Sequence, residues 1–349
     1  MGDLALCPNL PQEPPGPRLG CSLFGIHLVY GSEQTRNLVR DRCRSSPILP
    51  ETMMTSSPRP ATARQLIFLI SQPRSGSSLV QQILLQSERI VSFPEPWLML
   101  PLVYTFKDSG MSGVYNPHFA QVNLQEHLER YPDGLPRFQS EIRDLALRVY
   151  GWAKPASDQL VLDKTPRYYH ILRELQELFP EARFVLLTRN PVATFASMLQ
   201  YNFGGNLEGL LSSTDRMHDL VTGPQTLAHA RVQGSPNTHF IKYEDVVLKS
   251  AATLGELATF LEIDGLTPRY HLAPDFRDSR GVDLKSVQHH TAPVTDYLDS
   301  WRIALDSSEK RATAIRTLEA IGEQALQALG YDLHELVSNI FELDQHAHE

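Results

Sequence analysis

A chain of 349 residues with 42% hydrophobic and 21% charged residues is long enough for one large α/β domain or two small ones. Its net charge of −8 and sequence pI near 5.9 argue against an extended nucleic-acid footprint, which needs a basic face. Cys7, Cys21 and Cys43 all precede the first strand, so the body holds neither a disulfide framework nor a cysteine-based zinc site, and no apolar run approaches the ~20 residues of a membrane span.

Residues 1–62 are rich in Pro, Ser and Thr around a short apolar piece at 22–30. Such a composition disfavours a packed core, and this extension is expected to be mostly disordered. The domain proper is expected over 63–335, with a C-terminal tail at 336–349. A strand at 66–70 leads through a tight loop into a helix at 77–87, where Leu79, Val80, Ile83 and Leu84 recur at helical spacing. A short strand at 90–93 delivers Glu95, and helices fill much of 98–149. A strand at 160–162 ends on Asp163 and Lys164, and residues 168–178 read as one helix with Ile171, Leu172, Leu175 and Leu178 on one face. The strand at 184–187 runs into a turn where Asn190 can cap the next helix and Pro191 suits its first position. A strand at 239–241 and helices at 252–261 and 307–329 complete the pattern. Alternation of this kind implies a parallel sheet of about five strands covered by helices on both faces, with ligands at the carboxyl ends of the strands.

Two strand-to-helix corners carry the chemistry. The loop Pro73-Arg74-Ser75-Gly76-Ser77-Ser78 precedes a helix whose first amides lack intrahelical partners and carry the positive end of the axial dipole. Amides, hydroxyls and the Arg74 guanidinium can converge there on a phosphate. The geometry is P-loop-like, yet the wording departs from G-x-x-x-x-G-K-[ST]: there is no Lys, and the Arg stands before the Gly. In the second corner Arg189 leaves a strand end and Ser197 lies about two helical turns further on. A nucleoside triphosphatase would tend to place an Asp for magnesium near such a strand end; this chain offers a cation, and a metal-free polyanion site fits better.

The pair resembles the 5′-phosphosulfate loop and the 3′-phosphate motif of the sulfotransferase superfamily. Asp163-Lys164-Thr165-Pro166-Arg167-Tyr168 is similar to the DKTPRY stretch of bacterial members, and Lys242-Tyr243-Glu244-Asp245-Val246 to their YEDL strand end. The order of the four matches the family, and the resemblance covers about 65–301. It implies a bacterial-type enzyme, similar to tyrosylprotein and carbohydrate sulfotransferases, that uses 3′-phosphoadenosine 5′-phosphosulfate (PAPS). Carried over by position, Arg74, Ser75, Gly76, Ser77 and Ser78 would hold the 5′ side of the cofactor, and Arg189 and Ser197 the 3′-phosphate. Glu95 stands where tyrosylprotein sulfotransferases place a catalytic Glu relative to the loop Arg, and Lys164 where they place a catalytic Lys. A carboxylate base of this kind contributes roughly 10²–10⁴-fold, and preorganised cations stabilise the charge of an in-line transfer.

With neither an apolar span nor a secretory signal, a cytoplasmic enzyme without membrane partners is expected; the charge argues against a nucleic-acid partner, and the resemblance points to a glycan or small-metabolite hydroxyl as acceptor. Residues 104–123 and 201–224 are expected to shape the acceptor pocket. Arg280 and Lys285 are weak further cofactor candidates, His289-His290 reads as a solvated pair rather than metal ligands, and Tyr243-Glu244-Asp245 reads as a structural anchor. A P-loop-type kinase or NTPase and a catalytically silent cofactor-binding protein remain the alternatives.

Overall fold

The computed structural model describes residues 58–107, 109–110, 116–272, 276 and 287–346. The chain divides into a unit of residues 1–57 and a unit of residues 58–349. The first lies outside the described residues, and with it nearly all of the extension expected to be disordered. The second contains a five-stranded sheet.

Strands β1 (Leu66–Ser71), β2 (Ile90–Ser92), β3 (Leu160–Lys164), β4 (Arg183–Thr188) and β5 (Thr238–Lys242) lie in the order β2-β3-β1-β4-β5. All pairings are parallel, with Phe68 beside both Asp163 and Phe184, and Ser71 beside Leu187. The α/β architecture is the expected one. β1 is central, every residue of it is buried, and its side chains alternate between two cores, as the period of a strand requires. Leu66, Phe68 and Ile70 join Val161, Phe184 and Leu186 on one face. Ile67 and Leu69 join Leu162, Val185 and Leu187 on the other. Phe68 organises the first core: its ring stacks on Phe184 at 5.4 Å and meets the edges of Tyr168 and Tyr150 at 6.1 and 6.3 Å.

Helix α1 (Ser77–Leu84) covers the second face together with α6 (Ser250–Leu261). The first face is covered by α2 (Gly134–Tyr150), α3 (Leu172–Leu178) and α5 (Thr214–Gln233). A third cluster joins α4 (Pro191–Phe203), α7 (Ser308–Ile321) and α8 (Leu333–His346), the last burying Leu336 and Ile340. Among the described residues no helix is long and apolar enough to cross a membrane.

Two helices differ from expectation. The stretch read as one helix at 168–178 winds as a 3₁₀ segment over Pro166–Ile171 before α3 begins. The tighter turn carries Tyr168 and Tyr169 into the core, where their hydroxyls donate to Asp163 (3.0 Å) and Asp219 (2.7 Å). The helix expected over 307–329 breaks at Gly322, whose φ of 92° is left-handed backbone that favours glycine.

Asp163, at the end of β3, is almost wholly buried and accepts from Tyr150 (2.7 Å), Thr165 (2.8 Å) and Tyr168 (3.0 Å). Burial pushes its carboxyl up to about 6, against the pull of those hydroxyls. Its folded value lies above its unfolded one, so ionisation opposes folding at neutral pH, and that penalty, on the order of 3 kcal/mol, disappears as pH falls through about 6 towards 4. Denaturation curves across this range should show Asp163→Asn costing more stability at the acid end than at neutrality. A pH-independent cost would rule out the buried ionisation.

Candidate active site

The loop after β1 folds back on itself through two left-handed residues, Arg74 (φ 72°) and Gly76 (φ 91°). Gly76 precedes α1 and brings no side chain to cap it, so the amides of the first turn are left for a ligand. A Cβ at this position would meet Cδ2 of Tyr243 at 2.4 Å. The Ser75 hydroxyl is buried with no hydrogen-bond partner among the described residues. A polar atom in that situation costs free energy unless something else satisfies it. Gly76→Ala should therefore cost about 1–3 kcal/mol of stability through backbone strain alone, with a further loss of anion binding as Tyr243 is displaced. Thermal unfolding with and without adenosine 3′,5′-bisphosphate separates the two effects.

The second corner meets the first. β4 lies next to β1, so Arg189 leaves the sheet beside the loop. Its Nη1 donates to the Arg74 carbonyl at 3.1 Å and its Nη2 to the Tyr297 carbonyl at 2.6 Å. The guanidinium carbon sits 4.5 Å from the centre of the Tyr243 ring, and Nε is buried without a hydrogen-bond partner among the described residues. Burial holds its pKa below the usual arginine value, with a smaller push from the Arg74 charge. Asn190 caps α4 by accepting from the amides of Val192 (2.9 Å) and Ala193 (3.4 Å). From that helix Ser197 accepts from Arg74 Nε at 3.2 Å. The Arg74 guanidinium also stacks on Tyr201 at 3.9 Å.

Glu244 ties the corner down, accepting from the Asn190 amide (2.8 Å) and the Tyr331 hydroxyl (3.0 Å). The anchor expected of this element is in place, and its neighbour Tyr243 does more than anchor. Tyr243 is the floor against which both Gly76 and Arg189 pack.

Glu95 and Lys164 are brought together. Lys164 is fully buried, and its Nζ lies 2.6 Å from Glu95 Oε1 and 3.5 Å from Ser78 Oγ. It thus stands between the carboxylate and the loop, while Asp163, next in sequence, faces the opposite side of the sheet. The other Glu95 oxygen accepts from Trp97 Nε1 at 3.1 Å. Trp97 itself holds a φ of 53°, a costly conformation for an aromatic residue and one that concentrates at functional sites. Gln81, on α1, donates to Ser92 Oγ (2.9 Å) and the Phe93 carbonyl (3.2 Å), and Ser92 donates to the Leu162 carbonyl (2.7 Å). The strand end that carries Glu95 is thereby tied to both α1 and β3.

These groups line one cavity of about 720 Å³. Arg74, Gly76, Ser77, Ser78, Arg189 and Ser197 lie at its walls with Glu95. Ser75 and Lys164 are not on the lining and sit just behind it. Sequence reasoning did not single out Arg216, Tyr270 or Tyr297, all of which line the cavity, or give Arg167 a role beyond its motif. His290 also lines it, half-buried, and bonds the Tyr297 hydroxyl at 3.3 Å. Of the two regions expected to shape the acceptor pocket, 201–224 contributes Tyr201, Asn202 and Arg216. Among the described residues none of 104–123 lines the cavity; Tyr104 and Phe106 pack on the core instead. Arg280 and Lys285 lie outside the described residues.

The nodulation protein NoeE of Sinorhizobium fredii (strain NBRC 101917 / NGR234) is 28% identical over 296 residues, 76% of this chain. The chain spans 66% of that relative's length. Among solved structures, the sulfotransferase domain of the Synechococcus PCC 7002 olefin synthase shares the fold, with a TM-score of 0.50 and 21% identity over 79% of this chain and 96% of that one. The sulfotransferase domain from the curacin biosynthetic pathway is similar at a TM-score of 0.46 and 22% identity, covering 79% of this chain and 99% of that one. The model of the Sulfotransferase family matches residues 66–268, and the chain belongs to that family of enzymes.

Proposed function

We propose that this sulfotransferase takes its sulfuryl group from PAPS and passes it to an acceptor hydroxyl by in-line transfer, with Glu95 as the base. The observation that carries this reading is the junction of the two corners: Arg74 bonds Ser197 while Arg189 bonds the Arg74 carbonyl. A ligand with phosphates at both ends of one adenosine would find a cation at each end. The donor set suits such a ligand. Ser75 Oγ and Arg189 Nε are buried polar atoms in need of a partner, and Gly76 keeps the loop free of a Cβ. Arg74, Ser75, Gly76, Ser77 and Ser78 would hold the 5′ side, and Arg189 and Ser197 the 3′-phosphate.

When bound, PAPS supplies the activated sulfuryl group and a bisphosphate leaving group. Glu95 accepts the proton of the attacking hydroxyl at its carboxylate, within a wall that Trp97 holds in place. Lys164, paired with Glu95 and close to Ser78, is placed to give up part of that pairing to an anion at the loop. A preorganised cation in a water-poor site is worth on the order of 3 kcal/mol of barrier, by analogy with oxyanion-hole donors. The acceptor class that best fits one carboxylate beside an aromatic wall is a glycan or small-metabolite hydroxyl. A screen of acceptors with radiolabelled PAPS, read by the mass shift of the product, tests the reaction. Magnesium-dependent ATP turnover in place of sulfate transfer would refute it.

A further inference from the structure

The cavity carries more cations than the cofactor uses. On the proposed reading Arg74 and Arg189 serve the two phosphate ends, yet Arg167 and Arg216 line the same cavity. They belong to the Glu95 side: the Arg167 guanidinium lies 5.8 Å from the Trp97 ring centre, and Trp97 holds Glu95.

Both arginines are held from behind. Asp219 is fully buried and accepts from Arg167 Nε (3.0 Å) and Nη2 (2.5 Å) and from the Tyr169 hydroxyl (2.7 Å). Arg216 Nη1 stands 3.5 Å from the same carboxylate, and Asp215 accepts from Arg167 Nη2 at 2.9 Å. Neither Asp215 nor Asp219 lines the cavity, so the acids fix the guanidinium groups from outside while the cations face in. Burying a carboxylate completely is costly, and here that cost goes into orienting Arg167. No bond from Arg167 Nη1 to the protein is formed among the described residues.

Among the described residues, four arginines and one carboxylate, Glu95, line the cavity, and Glu95 is already paired with Lys164. Asp215 and Asp219 balance the charge of Arg167 and Arg216, but guanidinium donors such as Arg167 Nη1 stay without a bond among the described residues, and an anionic group uses such donors better than a neutral one. We infer that Arg167 and Arg216 form an acceptor-recognition wall, and that the acceptor carries an anionic group (carboxylate, sulfate or phosphate) besides the hydroxyl that attacks. A planar guanidinium fork fixed by a buried acid suits bidentate capture of such a group. The inference rests on the proposed reading, in which the cofactor fills the Arg74–Arg189 end.

The test uses the full chain and calorimetry. Adenosine 3′,5′-bisphosphate is titrated first; failure to bind refutes the cofactor reading itself. With the bisphosphate saturating, 4-nitrophenyl β-D-glucuronide is then compared with 4-nitrophenyl β-D-glucoside, which differ at the carboxylate. The glucuronide is expected to bind on the order of tenfold tighter, and Arg167→Gln and Arg216→Gln should each erode that preference while Arg216→Lys keeps part of it. Equal or reversed affinities, no binding of either glycoside, or a preference that survives in both Gln variants overturns the inference while leaving the cofactor reading intact. If Arg167→Gln fails to fold because Asp219 loses its partner, Arg216→Gln, on a partly exposed side chain, decides alone.

Discussion

Glu95→Gln is expected to lower turnover by roughly 10²–10⁴-fold, the usual contribution of a positioned base, while leaving affinity for adenosine 3′,5′-bisphosphate within about threefold of the wild type. The amide keeps the size of the side chain, and its carbonyl can still accept from Lys164 as Oε1 does at 2.6 Å. What it loses is the lone pair basic enough to take a hydroxyl proton. It also removes the negative charge that balances Lys164, which is fully buried. An uncompensated buried cation favours an anionic ligand next to it, so bisphosphate affinity should hold or rise rather than fall. Single-turnover rates with radiolabelled PAPS measure the first quantity and calorimetry the second. Wild-type rates in this variant would remove Glu95 from the chemistry, and parallel losses in both would make it a structural residue.

The reason the two corners were legible is local. β1 is an unbroken apolar run ending in a polar turn, and so is most of β4; such runs mark strands covered on both faces of a parallel sheet. Adjacent central strands of that kind deliver their turns to one edge, and the Arg74–Ser197 bond follows from that placement. The partner of Lys164 was not legible in the same way. Reading along the chain, its nearest acid is Asp163, yet successive residues of a strand face opposite sides. Asp163 accordingly turns into the tyrosine cluster while Lys164 meets Glu95.

Arg216 lies in the stretch 201–224 expected to shape the acceptor pocket, but nothing in the sequence singled it out within that stretch. It sits on α5 among ordinary polar residues, and its place beside Arg167 follows from the approach of that helix to the 3₁₀ segment through Asp219 and Tyr169. The described residues of 104–123 depart from expectation for a related reason. Aromatic and glycine residues in a loop suit a pocket wall, but Tyr104 and Phe106 found apolar surface on the sheet to cover. Composition cannot distinguish burial against the core from exposure to a ligand.

Arg189→Ala should weaken adenosine 3′,5′-bisphosphate binding by on the order of 10²-fold, the scale of one or two lost charge-assisted hydrogen bonds, and adenosine 5′-phosphosulfate binding much less. The comparison matters because, on the proposed reading, Arg189 has two jobs. Its Nη1 supports the Arg74 carbonyl and its Nη2 the Tyr297 carbonyl, so its removal slackens the 5′ loop and both ligands must lose some affinity. Only the ligand with a 3′-phosphate also loses the remaining donors of the fork, among them the buried Nε that has no partner among the described residues. The excess loss on the bisphosphate isolates the phosphate contact from the scaffold effect. Arg189→Lys sharpens the distinction, since an ammonium retains the charge but cannot reach two carbonyls and a phosphate as a planar fork does. It should recover part of the discrimination between the two nucleotides while recovering little of the loop's rigidity. Equal losses for the two ligands in Arg189→Ala would leave this arginine as a brace for the loop and place the 3′-phosphate elsewhere.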